Sequence, residues 1–131
     1  MSREAAEAAI AALVPAFYER VQADDLIGPV FAHAVEDWDR HHVRLIDFWS
    51  SVMMGTGRFK GSPMGAHFRH KDRIRPEMFD RWLALWEEVT NEMLPPAAAR
   101  EMQAKARTMG ESFKAGLFFR AEDIAPRGAS L

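Results

Sequence analysis

The sequence predicts an all-α fold. Three observations carry that prediction. Apolar residues recur at three- and four-residue steps along almost the whole chain. Glycine and proline clusters punctuate those periodic stretches at intervals suited to helices. Strand signals are weak throughout, and no hairpin turn chemistry appears between apolar runs.

The first periodic stretch runs from about Arg3 to Asp24, with Ile10, Leu13, Val14, Phe17 and Val21 on one face. Pro15 interrupts it. Proline is best tolerated in a first turn, so the prediction is a short helix followed by a second one beginning near Leu13. Asp24, Asp25 and the Gly28-Pro29 pair mark a turn, and Val30-Phe31 follows as a short apolar plug. Asp37 is the N-cap of a helix reaching Met54, with Trp38, His41, Leu45, Phe48, Trp49 and Val52 inward and Gly55 and Gly57 as its stop. The loop GTGRFKG leads to Ser62-Pro63, an N-cap followed by proline at the first helical position of a short helix to His70. After the polar, basic segment RHKDRIR, Pro76 opens a longer helix with Met78, Phe79, Trp82, Leu83, Trp86 and Val89 inward. Pro95-Pro96 breaks the chain. The last helix spans about Ala97 to Phe119, with Met102, Ala106, Met109, Phe113 and Leu117 inward. Residues from about 121 to 131 read as a loose tail.

At 131 residues the expected organisation is one domain across 1–131 with enough chain to bury a sizeable core. A composition of 48% hydrophobic and 27% charged residues is that of a soluble globular protein. The net charge of -2 disfavours whole-molecule attraction to nucleic acid or to an anionic membrane, so neither is expected as a partner. The absence of cysteine excludes disulfides, thiolate metal sites, c-type haem attachment and cysteine nucleophiles, and it suits a reducing compartment. The N-terminus lacks a basic start followed by a clean apolar run, and nothing approaches a membrane-spanning length, so the expected location is cytoplasmic.

Phosphate-binding, dinucleotide-binding, nucleophile-elbow and zincin motifs are all missing from the sequence. The histidines are more informative. His41 shares a helix face with Leu45, Phe48, Trp49 and Val52, and His67 sits in a short helix between Met64 and Phe68. Each taken alone is most simply a core histidine with a hydrogen-bond partner. A zinc site wants three or four protein ligands, for which His67, His70 and either His41 or Asp37 are available. One strong imidazole among aromatic and methionine side chains suits an iron porphyrin better, because the macrocycle supplies four nitrogens itself. Tyr18, the lone tyrosine, reads equally well as an interfacial residue or a pocket residue, and Trp82 as part of an apolar stripe. The Arg69–Arg75 run is a solvated loop or a partner for cofactor carboxylates.

From about Ala12 to Phe119 the sequence resembles the third group of truncated haemoglobins. The matching pieces are FYERV at Phe17–Val21, GPVF at Gly28–Phe31, WDRHHVRLIDFW at Trp38–Trp49, GSPMGAH at Gly61–His67 and FDRWLALWEE at Phe79–Glu88. Their order and spacing together carry the resemblance. The Gly-Gly pairs of the first two groups are missing.

The resemblance implies a globin-like, two-over-two helical sandwich around noncovalent haem b. It implies His67 as the iron ligand, and Tyr18, Trp82 and His41 as the distal residues that act on the bound ligand. It further implies a haem contact set of Phe17, Phe31, His41, Leu45, Phe48, Met64, His67 and Trp82. Propionate partners are sought among Arg69, His70 and Lys71, and the Phe48-Trp49 pair anchors the register on His41 rather than His42.

The implied function is reversible binding of oxygen and other diatomic ligands, with nitric oxide or peroxide chemistry alongside; carbon monoxide is a further small ligand. Turnover would need a separate reductase, since the chain leaves no room for a nicotinamide or flavin domain. Two other classes compete. One is a cofactor-free helical interaction module whose Met-rich apolar face binds a partner helix. The other is a zinc-dependent enzyme using His41, His67 and His70.

Overall fold

The computed structural model describes residues 2–118. Among them the chain forms six α-helices and one short 3₁₀ turn, with no strand: α1 (Arg3–Ala23), α2 (Gly28–Ala34), α3 (Trp38–Met54), α4 (Pro63–Arg69), the 3₁₀ turn Lys71–Arg73, α5 (Pro76–Met93) and α6 (Pro96–Phe118). Helix α1 packs on both α3 and α5, α5 packs along α6, and α4 rests on α6. The α1–α3 pair therefore lies over the α5–α6 pair, as a two-over-two sandwich. The proposed end of the last helix at Phe119 and the tail fall outside the described residues.

Most boundaries follow local chemistry. The Asp37 side chain accepts from the Arg40 N–H at 3.2 Å and caps α3, while Gly55 closes that helix at φ 65°, in the left-handed region that favours glycine. The Ser62 hydroxyl accepts from the Gly65 N–H at 3.0 Å, and Pro63 occupies the first position of α4. Pro76 opens α5 in the same way.

Two expectations are corrected. Pro15 does not divide the first segment; α1 is continuous from Arg3 to Ala23. An interior proline costs about 3 kcal/mol. Against that, six buried side chains of α1 (Ile10, Leu13, Val14, Phe17, Tyr18 and Val21) contribute on the order of 10 kcal/mol, so packing wins. The Gly28-Pro29 pair, expected as a turn, instead opens a two-turn helix, α2, that includes the apolar plug.

Asp24 starts α2. One carboxylate oxygen accepts from the Leu26 and Ile27 N–H groups at 3.1 and 3.0 Å, and the other accepts from Arg81 Nε on α5 at 2.7 Å. One side chain thus ties together the end of α1, the start of α2 and α5. Partial burial pushes its carboxyl up, but these hydrogen bonds and the Arg81 charge outweigh it and hold the group below the usual range. Gly28 is required by close approach. A Cβ there would stand 2.8 Å from the Gln22 carbonyl oxygen and 3.1 Å from that of Val21. Gly28→Ala is expected to destabilise the fold by about 1–3 kcal/mol, read as a lower midpoint in urea unfolding. An unchanged midpoint would show that the α1–α2 corner has slack.

The packed core lies between α1, α3, α5 and α6. Phe17, Trp49 and Trp86 are its largest wholly buried side chains. The rest of the expected inward face of α3 is only half-buried, including His41, Leu45 and Phe48. That difference has a cause: these three side chains face a cavity.

Candidate functional site

The cavity has a volume of about 500 Å³ and is enclosed by side chains from all six helices. Tyr18 reaches it from α1, Phe31 from α2, His41, Leu45 and Phe48 from α3, His67 from α4, Phe79 and Trp82 from α5, and Phe113 from α6. Segments far apart in sequence are thereby brought to one chamber.

His67 is positioned by its own helix. Its Nδ1 lies 2.7 Å from the Pro63 carbonyl oxygen, one turn earlier. A carbonyl only accepts, so Nδ1 carries the proton and Nε2 keeps its lone pair. The ring stacks on Phe113 with centroids 4.4 Å apart and planes 22° apart. Burial lowers its pKa, the Pro63 contact partly restores it, and the neighbouring His70 lowers it further, so the ring is neutral at pH 7. A neutral imidazole with a fixed tautomer is the form that ligates a metal.

The opposite set is different in kind. Tyr18 is buried, and its ring meets His41 edge to face at 5.0 Å and Phe17 at 4.8 Å. Burial raises its hydroxyl pKa well above the ordinary value, and the side chain of Trp82 offsets only part of that effect, so Tyr18 remains a hydrogen-bond donor. Trp82 adds an indole N–H on the same cavity. His41 is lowered to about 4, chiefly by burial and then by the charges of His42 and Arg44, and its buried Nε2 has no hydrogen-bond partner. His42 has an unpartnered buried Nε2 as well, but His41, not His42, lines the cavity.

The His41 shift has a consequence for stability. Above pH 6.5 the ring is neutral in both folded and unfolded chains and contributes nothing. As pH falls from 6.5 towards 4, the unfolded chain takes up a proton that the folded one refuses, so stability drops over that window. His41→Leu is expected to remove about 2 kcal/mol of that loss, given the ring's partial exposure. Urea melts at pH 7 and pH 4.5 would check this, and identical losses in both proteins would count against a buried neutral His41.

Not every expected contact reaches the cavity. Phe17 is wholly buried behind the wall, edge-on to both Trp82 and Trp86, and supports Tyr18 and Trp82 from the core side. Met64 does not line the cavity either; its thioether lies against Gly116 on α6, where a Cβ would come within 2.6 Å of Met64 Cε. Of the basic residues at the end of α4 and just beyond it, Arg69 and His70 border the cavity, whereas Lys71 sits over the Phe68 ring.

Arg44 and Phe59 border it without having been foreseen. Their signal was faint: an isolated phenylalanine in a polar loop, and an arginine three residues after His41. The Ser51 hydroxyl holds that loop by accepting from the Phe59 N–H at 3.0 Å, and the Phe59 ring carries the Arg44 guanidinium. The lining includes no Asp or Glu. The chamber is therefore apolar within and positive at its edge.

Among the described residues, no three His, Asp or Glu side chains are grouped to hold a metal ion, so the zinc site of His41, His67 and His70 does not form. Nor is a Met-rich face presented: among the described methionines only Met93 is exposed.

The family described as bacterial-like globin matches residues 5–111. The chain is a bacterial-like globin. The globin is 35% identical over 86 residues to the group 3 truncated hemoglobin of Campylobacter jejuni subsp. jejuni, a match covering 63% of this chain and 67% of that protein. Its fold matches the crystal structure of group III truncated hemoglobin from Campylobacter jejuni with a TM-score of 0.78 and 28% identity, covering 90% of this chain and 92% of that one. The likeness to the third group of truncated haemoglobins thus holds in both sequence and fold. Globins bind haem, and the chamber suits it: an apolar interior, one neutral imidazole with a bare nitrogen, and a cationic edge for carboxylates. No helix among the described residues is long and apolar enough to cross a membrane.

Proposed function

We propose that this globin holds haem b noncovalently in the cavity through His67 Nε2 and binds oxygen and other diatomic ligands reversibly. The observation that carries the proposal is the Pro63 carbonyl contact, which leaves Nε2 of a neutral His67 as a ligand on a chamber otherwise walled by apolar groups. Bound haem supplies an iron centre that takes a diatomic ligand and shifts electron density onto it.

The chain's own residues do the rest. Phe31, Leu45, Phe48 and Phe113 exclude water from the chamber. Arg44, Arg69 and His70 are the groups available to the haem carboxylates. The Tyr18 hydroxyl and the Trp82 N–H donate to a ligand that has gained negative charge, which slows its loss. Strong donors of this kind suit retention of oxygen rather than its delivery at high flux. Conversion of nitric oxide or peroxide is the second reading. It is favoured by His41, whose neutral ring has an unpartnered nitrogen able to take or give a proton, and it requires an external reductant.

An absorption spectrum of the purified, haem-reconstituted protein tests the proposal. An intense Soret band that shifts on reduction and again with carbon monoxide is expected. Folded protein without that band would overturn it; zinc would then show in metal analysis without colour, and a partner-binding module would show neither.

A further inference from the structure

We propose that the cavity rim formed by residues 57–75 is the docking surface for an acidic one-electron donor protein. Charge is spread very unevenly along this chain. Residues 57–75 hold six cationic side chains (Arg58, Lys60, Arg69, Lys71, Arg73 and Arg75) and one carboxylate, Asp72, an excess of five positive charges. The whole chain carries -2, so everything outside this segment carries -7. Two of the six cations are neutralised: Arg58 pairs with Glu7, and Arg75 with Glu77 at 3.2 Å. Among the described residues, Lys60, Arg69, Lys71 and Arg73 have no ion-pair partner, and all four are exposed.

Their neighbours place them at the cavity. Phe59, Arg69, His70 and Ile74 border it, and Lys60, Lys71 and Arg73 adjoin these residues in the chain without bordering it themselves. Cofactor carboxylates held by Arg44, Arg69 and His70 therefore leave those three outer charges uncompensated. An anionic surface laid over them would relieve their mutual repulsion. An apolar anchor stands in their midst. Phe68 is 56% exposed beside Arg69, and the Lys71 ammonium lies 5.3 Å from its ring centroid. An aromatic ring among cations is the composition enriched where proteins meet proteins. A membrane fits less well. A single phenyl ring offers less apolar surface than one acyl chain, which by itself binds only marginally, and anionic lipid repels the rest of the chain. Nucleic acid meets the same repulsion.

The inference rests on the haem reading. Arg44 and Arg69 are exposed and also border the cavity, so at this rim the cavity wall is the molecular surface. A donor docked there stands one side chain away from the chamber. It loses one electron per encounter and the ferric iron in the cavity gains it; no bond forms or breaks. Opposite charges attract over roughly 10 Å at about 0.1 M salt, so an acidic donor is steered to this globin rim first.

The probe is an acidic flavodoxin, used with holoprotein whose Soret band has first been verified. Oxidised flavodoxin added to isotope-labelled, carbon monoxide-bound globin is expected to shift the amide signals of residues 57–75 and to leave those of Arg100 and Lys105 on α6 unmoved. Reduced flavodoxin should reduce the ferric form at a rate that falls by about 10-fold as salt is raised. Lys60→Glu with Lys71→Glu and Arg73→Glu should slow reduction at low salt by roughly 10-fold or more, with the carbon monoxide spectrum unchanged. Phe68→Ser should weaken flavodoxin binding and keep its salt dependence. Arg100→Glu with Lys105→Glu and Arg107→Glu makes the same change in net charge at three exposed positions of α6 that do not border the cavity, and should slow reduction far less. Equal slowing in the two triple variants, reduction insensitive to salt, or amide shifts centred elsewhere would overturn the docking surface. Capture of the globin by phosphatidylserine vesicles, lost in the rim variant, would give the rim to a membrane and overturn it too. A missing Soret band would instead overturn the haem reading.

Discussion

Replacing His67 by alanine is expected to weaken haem retention by about 100-fold or more and to change the spectra of the ferrous and carbonyl forms. Losing a supporting residue around a metal ligand already costs 10–100-fold, roughly, and loss of the ligand itself belongs at or beyond that limit. The fold should tolerate the change, because His67 is only half-buried and α4 keeps its Ser62 cap and Pro63 start. Added free imidazole should restore the spectrum by filling the space the side chain leaves. His70 provides the control. It borders the same cavity one turn later, but its ring stands edge-on to His33 with centroids 5.9 Å apart. His70→Ala should leave the axial spectrum intact. Spectra altered in His70→Ala and unchanged in His67→Ala would reverse the assignment.

The second large effect is expected at Tyr18. Tyr18→Phe removes one hydroxyl and keeps the ring that packs on Phe17 and His41. A hydrogen bond to a charged acceptor is worth about 1.5–3 kcal/mol. Oxygen dissociation should therefore accelerate by roughly 10- to 100-fold. Carbon monoxide accumulates little negative charge when bound, so its dissociation should change far less and serves as the internal comparison. Because Trp82 remains as a donor, the variant should still bind oxygen. An unaltered oxygen off-rate would remove Tyr18 from the ligand contact.

Several features could be read from residues that lie close together in the chain. The Asp37 and Ser62 caps, the left-handed stop at Gly55 and the prolines opening α4 and α5 all act within a few residues of themselves. Their outcome therefore needed no knowledge of the rest of the molecule. The His67 tautomer belongs here in part, since its partner is the Pro63 carbonyl of the same short helix. Pro15 shows the limit of local inference. Its intrinsic preference is real, but the buried face running through it comes from contacts with α3 and α5. The start of α2 was hidden for a similar reason, because Asp24 both holds the turn that precedes it and pairs with Arg81, which lies 57 residues further on.

Periodicity showed which side of each helix turns inward, and the motif order showed which family that pattern matches. Neither distinguishes a side chain facing packed core from one facing a cavity. Phe17 and Tyr18 are neighbours on one buried face, yet only Tyr18 reaches the chamber. Met64 and His67 share a helix less than one turn apart along its axis, yet one rests on Gly116 and the other borders the space. By itself the sequence determined the all-α class and most helix boundaries. Only the tertiary structure decided the cavity, its cationic edge and the placing of Tyr18, Trp82 and His41 together on its wall. The physical reason is range: caps and turns are settled by groups a few residues apart, whereas a cavity exists only where distant helices converge without their side chains filling the space between them.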